Sequence, residues 1–279
     1  MFSALLIQAT LPTLVGLVAS LLIGLSLGLI GGGGSILTVP VLVYLFHVEP
    51  ILATTYSLFI VGLTSAVGTY PKYKEGLINL KTTLFFGIPS ITMVFITRKY
   101  LLPAIPQNLS TFDTYVLTKN NFLLLLFALL MIVAAVSMIK TSSSHNQRLD
   151  TNFPPLPLAL LSLAGLCEGS LTGLVGAGGG FLIIPVLVKL MRLSMKQAIG
   201  TSLFIIAIKS GVGFLGDVNL QQIQWPLLGM VSLMAIVGII LGNKLSRSIE
   251  GEKLKKGFGW FVLVMGIYIL VKESLGGGY

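Results

Sequence analysis

The sequence predicts an all-α integral membrane protein of two inverted repeats, each a broken, re-entrant helical hairpin followed by three transmembrane helices. Three observations predict it. The chain is 54% hydrophobic and only 10% charged, with a mean hydropathy of +0.96, whereas soluble domains carry about 25% charged residues. Its apolar residues gather in runs, most of them near the roughly 20 residues that a membrane-crossing helix needs. The two halves also repeat: residues 24–68 align on 169–213 without a gap, with 20 identities in 45 positions.

The elements follow in order. The opening MFSALLIQATLPTLVG lacks the basic region of a cleavable signal and leads directly into a first apolar segment at 11–30. A glycine run and a short segment, 35–46, come next. Twelve residues of helix reach only about 18 Å, against a hydrocarbon core of about 30 Å, so segment, glycines and short segment read as a hairpin that returns partway through the membrane. Segments 51–70, 82–102 and 121–139 complete a first repeat, 1–141. A polar, proline-bearing linker, 142–155, lies within KTSSSHNQRLDTNFPPL. The second repeat, 156–279, holds segments 156–175, 180–191 (again short), 197–216, 225–243 and 257–271.

The register of the repeat is carried by residues that apolar bias does not place. Gly28, Gly31, Gly33, Gly34 and Pro40 fall on Gly173, Gly176, Gly178, Gly179 and Pro185, and Ser57-Leu58-Phe59-Ile60 falls on Ser202-Leu203-Phe204-Ile205. Charge then sets topology. When the chain changes sides at each segment, the loops on one side hold thirteen Lys and Arg, from Lys72 to Lys256. The other side holds four: Arg98, Lys99, Lys119 and Lys272. The rich side is cytoplasmic and both termini face outward. Each repeat makes three crossings beyond its hairpin, so the second enters from the opposite face. Inverted repeats with broken helices are a recurrent secondary-transporter plan. The net charge of +9 is explained by cytoplasmic loops, not by nucleic acid.

Glycine runs weaken a helix, yet the chain places them in its most apolar sequence. Glycine permits φ > 0 and close backbone approach, and proline suits the first position of a helix. Gly31–Val39 and Gly176–Ile184 therefore read as unwound backbone, with Pro40 and Pro185 starting short helices; alternatively, Ser35 caps a helix one turn earlier. Unpaired N–H groups at membrane depth must face protein or a cavity, and a helix N-terminus attracts anions. Gly32, Gly33, Gly34 and Ser35, with Gly178, Gly179 and Gly180, are thus candidate anion-binding residues. The outer glycines Gly24, Gly28, Gly169 and Gly173 read as helix-packing positions of small-xxx-small type. Neither run continues to the Gly-Lys-Ser/Thr of a nucleotide loop.

With GLIGGGGSILTVPVL and GLVGAGGGFLIIPVL each followed by TYSL or GTSL, the chain resembles the sulfite exporter TauE/SafE family, and the resemblance covers almost its whole length. It implies an inner-membrane carrier of bacteria, archaea or sometimes plants, moving sulfite, sulfoacetate or another small sulfur-containing anion. The first half departs from GTSL at Thr54-Thr55-Tyr56-Ser57, so the two half-sites are expected to contribute unequally.

Polar residues within the apolar segments supply further candidates. Thr55, Ser57, Thr201 and Ser202 can donate to a sulfonate or sulfite oxygen, or bond back to a carbonyl one turn earlier. Lys209 and Glu168 are ionisable groups at membrane depth, where such residues are costly and mark function. Either Lys209 meets the anion while Glu168 carries a coupling proton, or the two neutralise each other, or Lys209 snorkels to an interface. Neither has a charged counterpart in the first repeat, where Thr64 and Ile23 stand. Asp217 and Glu49 read as outer loop residues.

A single cysteine, Cys167, excludes an intrachain disulfide and a CxxC motif. His47 and His145 fall in loops on opposite sides, so no metal, cofactor or Ser–His enzyme is expected. The partners expected are the bilayer and a small anion. The sequence therefore predicts a secondary transporter that exports a small sulfur-containing anion by alternating access. The alternatives are an anion channel and an uptake carrier for another small organic anion.

Overall fold

The computed structural model describes residues 11–112, 115–140, 158–217, 223–246 and 251–275. The linker 142–155, with His145, lies outside them. All ten predicted apolar segments are helical: α1 Leu11–Ile30, a 3₁₀ stretch Gly31–Leu37, α2 Thr38–Tyr44, α3 Pro50–Lys74, α4 Leu80–Ala104, α5 Lys119–Lys140, α6 Leu158–Val175, α7 Gly180–Leu190, α8 Met195–Leu215, α9 Trp225–Leu245 and α10 Gly251–Ser274. Among the described residues, six helices are long and apolar enough to cross a membrane: α3, α4, α5, α6, α8 and α9. One element departs from an all-helical chain. Between α4 and α5 a short antiparallel hairpin pairs β1 Asn108–Phe112 with β2 Tyr115–Thr118.

Local sequence sets the helix ends. Pro50 opens α3 at its first position, where its missing N–H costs nothing. Asn79 caps α4 by accepting from the Thr82 N–H, and Ser194 and Gln197 form a reciprocal capping box on α8. α4 contains two π-helical stretches, Thr83–Gly87 and Thr97–Leu101. Each spans the residue four before a proline, Phe85 before Pro89 and Lys99 before Pro103. A proline ring collides with the carbonyl four residues back, and a widened turn relieves that collision.

Four packing pairs build the bundle: α1 with α9, α4 with α6, α3 with α8, and α5 with α10. Replacing each residue n by n ± 145 exchanges the first pair with the second and maps the α3–α8 pair on itself. The match extends to single contacts. Gly24 lies against Ala235 and Gly169 against Ser90, while Gly28 lies against Gly242 and Gly173 against Thr97. A Cβ at Gly24 or Gly169 would overlap a main-chain oxygen of the facing helix, so the outer glycines are close-packing positions.

α3 and α8 run antiparallel through the centre. Thr55 meets Asp217 at one end and Gly62 meets Ser210 midway. Tyr56, Leu58, Ile60, Val61, Leu203, Ile205 and Ile206 on these two helices are fully buried. The periphery is apolar and exposed: Val18 and Leu22 on α1, Leu163 on α6, Leu233 on α9, and Trp260 and Val264 on α10. Such a surface is stable in lipid and would aggregate in water.

Candidate functional site

Both glycine runs turn the chain back on itself. After Gly31, at φ 75°, Gly34 packs on Ser26 and Leu27, too near for residues that a continuous helix would hold about 12 Å apart. The second turn uses Gly176, Gly178 and Gly179, at φ 71°, 66° and 73°, and brings Gly179 against Glu168 and Thr172. A side chain at any of these four positive-φ positions would be strained.

The predicted helix starts differ. The first break is a wound 3₁₀ stretch, not open backbone, and α2 begins at Thr38, two residues before Pro40. Ser35 is not a cap: its hydroxyl donates to the Gly32 carbonyl at 2.7 Å. α7 begins at Gly180, behind a left-handed Gly179 whose carbonyl accepts from Leu182 and Ile183. Pro185 is therefore interior to α7, where it removes the bond to Phe181. These glycine turns are tight enough to start a helix without help from proline.

The two breaks meet. Gly32 and Gly180 touch backbone to backbone, so a Cβ on either would overlap the main chain of the other. Gly179, the neighbour of Gly180, is at the level of Glu168, and Glu168 accepts from Ser90 at 2.6 Å. Ser90 is the eleventh of the 25 residues of α4, so the crossing lies near mid-depth. Gly33 lies within the same 3₁₀ stretch.

Two buried ion pairs flank the second break. Lys209 Nζ is 2.6 Å from Glu168 Oε1, and the two residues are 0% and 4% exposed. Thr172 Oγ1 donates to the same oxygen at 2.6 Å and Ser90 to the other. A Cβ at Gly179 would end 2.6 Å from Lys209 Nζ, so the glycine is what lets the turn lie on the pair. The second pair joins Arg98, 0% exposed, to Asp217: Nη1 is 2.9 Å from Oδ2 and 3.0 Å from Thr54 Oγ1. Thr55 donates to that Asp217 oxygen at 2.6 Å. A Cβ at Gly176 would end 2.6 Å from Arg98 Nη2. The backbone 176–179 thus runs from one buried cation to the other.

Arg98 corrects the sequence expectation, which counts it among the outer-side loop charges, whereas Asp217 does lie in a loop but is largely shielded. Arg98 is inside α4, and Asp217 follows the end of α8 with only 14% of its side chain exposed. A signal existed. Phe86, Ser90, Val94, Arg98 and Leu102 recur every four residues and are all buried, which marks one face of a helix. Its neighbour Lys99 is exposed.

The candidate hydroxyls do not converge. Thr55 is beside Asp217, whereas Thr201, toward the other end of α8, accepts from the Asn79 N–H at 2.9 Å. Ser202 donates back to Ile199 at 2.9 Å. Ser57 is fully buried and its hydroxyl has no partner. Among the described residues no group of three or more His, Cys, Asp and Glu could hold a metal ion.

The asymmetry between the breaks is electrostatic. Among the described residues, the two cations at 0% exposure both touch the second break, although Arg98 comes from the first half of the chain and Lys209 from the second. Around the first break the corresponding close neighbours are uncharged: Gly31 faces Ile184 and Ile199, Gly32 faces Ile206, and Gly34 faces Ser26.

The family model for the sulfite exporter TauE/SafE matches residues 16–269. A "probable membrane transporter protein" of Xylella fastidiosa (strain Temecula1) is 26% identical over 253 residues, covering 89% of this chain and 91% of its own. A relative of the same description in Methanocaldococcus jannaschii is 26% identical over 275 residues, covering 94% and 96%. Another, YdhB of Bacillus subtilis, is 26% identical over 252 residues, covering 89% and 96%. No solved structure matches. The match takes in both broken hairpins and both buried ion pairs, and the chain belongs to the sulfite exporter TauE/SafE family of multi-pass membrane transporters.

Proposed function

We propose that the protein is a secondary transporter that exports a small sulfur-containing anion, sulfite or an organosulfonate, across the cytoplasmic membrane by alternating access. One observation carries this reading: the mid-depth crossing of two glycine turns, with a fully buried cation on each side of the second turn. A buried charge is retained at membrane depth at considerable cost and marks an ion path. The sulfur-anion substrate class comes from the family's description.

Alternating access is supported by the packing. The described residues of the two repeats pack symmetrically under exchange, and the two breaks cross main chain to main chain at Gly32–Gly180. Paired repeats that exchange under such a symmetry are the arrangement in which transporters rock one repeat against the other. Opposite orientation of the halves follows from three crossings per repeat, and the charge bias places both termini outside. Moving Arg98 out of the loops only sharpens that bias. An inside-negative potential already drives anions outward. Glu168, bonded to Lys209, Ser90 and Thr172, is the group on which a coupling proton would reside.

The test is sulfite counterflow in proteoliposomes. We expect saturable uptake of labelled sulfite against an internal sulfite load, lost in Lys209→Ala and Gly33→Leu while both variants still insert. Unsaturable flux without counterflow would make the protein a channel. Normal flux in both variants would remove the proposed site.

A further inference from the structure

Arg98 is only half used by its own protein. Its Nη1 serves Asp217 and Thr54, but Nε and Nη2 are buried without any hydrogen-bond partner. That leaves one complete edge of the guanidinium, three N–H donors, unsatisfied in a fully buried side chain. A buried donor left bare forfeits its hydration with nothing in return, and the loss is larger for a charged group. The Nη2 end of this edge lies against the second break, 2.6 Å from the position a Cβ of Gly176 would take. The next residue back, Thr97, also carries a buried hydroxyl without a partner, on the side of α4 that faces Gly173. The π-helical turn Thr97–Leu101 bulges the helix at this point, and such bulges recur at functional sites.

We propose that the Nε–Nη2 edge of Arg98 is the recognition element for the transported anion, which presents two oxygens side by side to that edge. This rests on the anion-transport reading above and names the group that does the selecting. Two parallel N–H donors match the paired oxygens of a sulfite, sulfonate or carboxylate and not a spherical halide. Asp217, held on Nη1 with help from Thr55, keeps the guanidinium oriented while its other edge stays open to a guest. Gly176 closes that edge in the present conformation. Access therefore requires the second turn to swing off Arg98, a motion its positive-φ glycines permit. Lys209, three residues further along the same turn at Gly179, receives the anion next.

The experiment compares the parent protein with Arg98→Lys in proteoliposomes, using labelled sulfite and chloride as probes. Lysine keeps the charge for Asp217 but has no fork. We expect the KM for sulfite to rise about 10- to 100-fold, the loss of one charge-assisted bidentate contact. Chloride leak should be unchanged, so the sulfite-to-chloride ratio collapses. Arg98→Gln with Asp217→Asn removes both charges together and leaves no orphan ion; it should insert and show no saturable sulfite flux. A structural Arg98 would instead lower thermal stability and leave the KM of Arg98→Lys at the parent value, and that result would overturn the proposal while transport by the parent stands. If the parent moves neither sulfite nor any other forked oxyanion, the transport reading fails, and this site with it.

Discussion

Replacing Lys209 by methionine leaves the Glu168 carboxylate buried without its cation. The two are 2.6 Å apart and 0% and 4% exposed. Breaking a buried pair by removing one partner costs about 3–5 kcal/mol, because the charge left behind is not compensated. The hydroxyls of Ser90 and Thr172 remain and hold the loss toward the lower end. On the scale of chains of 150–250 residues, each kcal/mol shifts Tm by about 2–4 °C, so Lys209→Met should melt about 6–15 °C lower in detergent. Glu168→Gln alone strands Lys209 in the same way. The double variant strands neither, and its amide still accepts from Ser90 or Thr172. We expect it to recover most of the loss, with a coupling energy of about 2 kcal/mol or more. The assay is thermal unfolding of the purified protein followed by tryptophan fluorescence, in a four-member cycle. A double variant that falls by the sum of the two singles would show that the groups do not share a dry site, and the electrostatic argument for the second break would fail.

Other expectations follow from the same contacts. Gly180→Ala puts a Cβ into the main chain of Gly32 and should abolish sulfite flux without blocking insertion, whereas Gly211→Ala, with nothing within 4 Å, should transport normally. Thr201→Val removes the acceptor of the Asn79 N–H and should cost about 1 kcal/mol, read as a lower Tm and faster amide exchange at the start of α4. Asn79→Ala removes the α4 cap and should cost about 0.5–2 kcal/mol by the same melting measurement. Gly176→Ala meets both a φ of 71° and Arg98 Nη2; it should lose flux more severely than Gly34→Ala, which has no positive φ.

The helices are legible without coordinates, because apolar run length and glycine punctuation are local properties. The sequence placed all ten segments, the short return helices and the repeat register, and it singled out Lys209 and Glu168 because a charge in an apolar run is visible without coordinates. It also separated the outer packing glycines from the inner ones. The β-hairpin at 108–118 escaped, since its nine strand residues carry no apolar alternation strong enough to distinguish them from a loop.

Which charges share a place depends on the packing of distant segments. Arg98 and Asp217 are 119 residues apart, and each alone looks like an ordinary residue near a helix end. Their meeting depends on how α4 packs beside α3 and α8, which no window of sequence contains. The same holds for Gly32 and Gly180, whose contact needs two turns from different halves to arrive at one depth. Local pattern fixes what each segment can be, because backbone hydrogen bonding in lipid leaves few choices. Side-chain chemistry across segments is set by packing, and packing brought Arg98 and Lys209 to one break and left the other without charge.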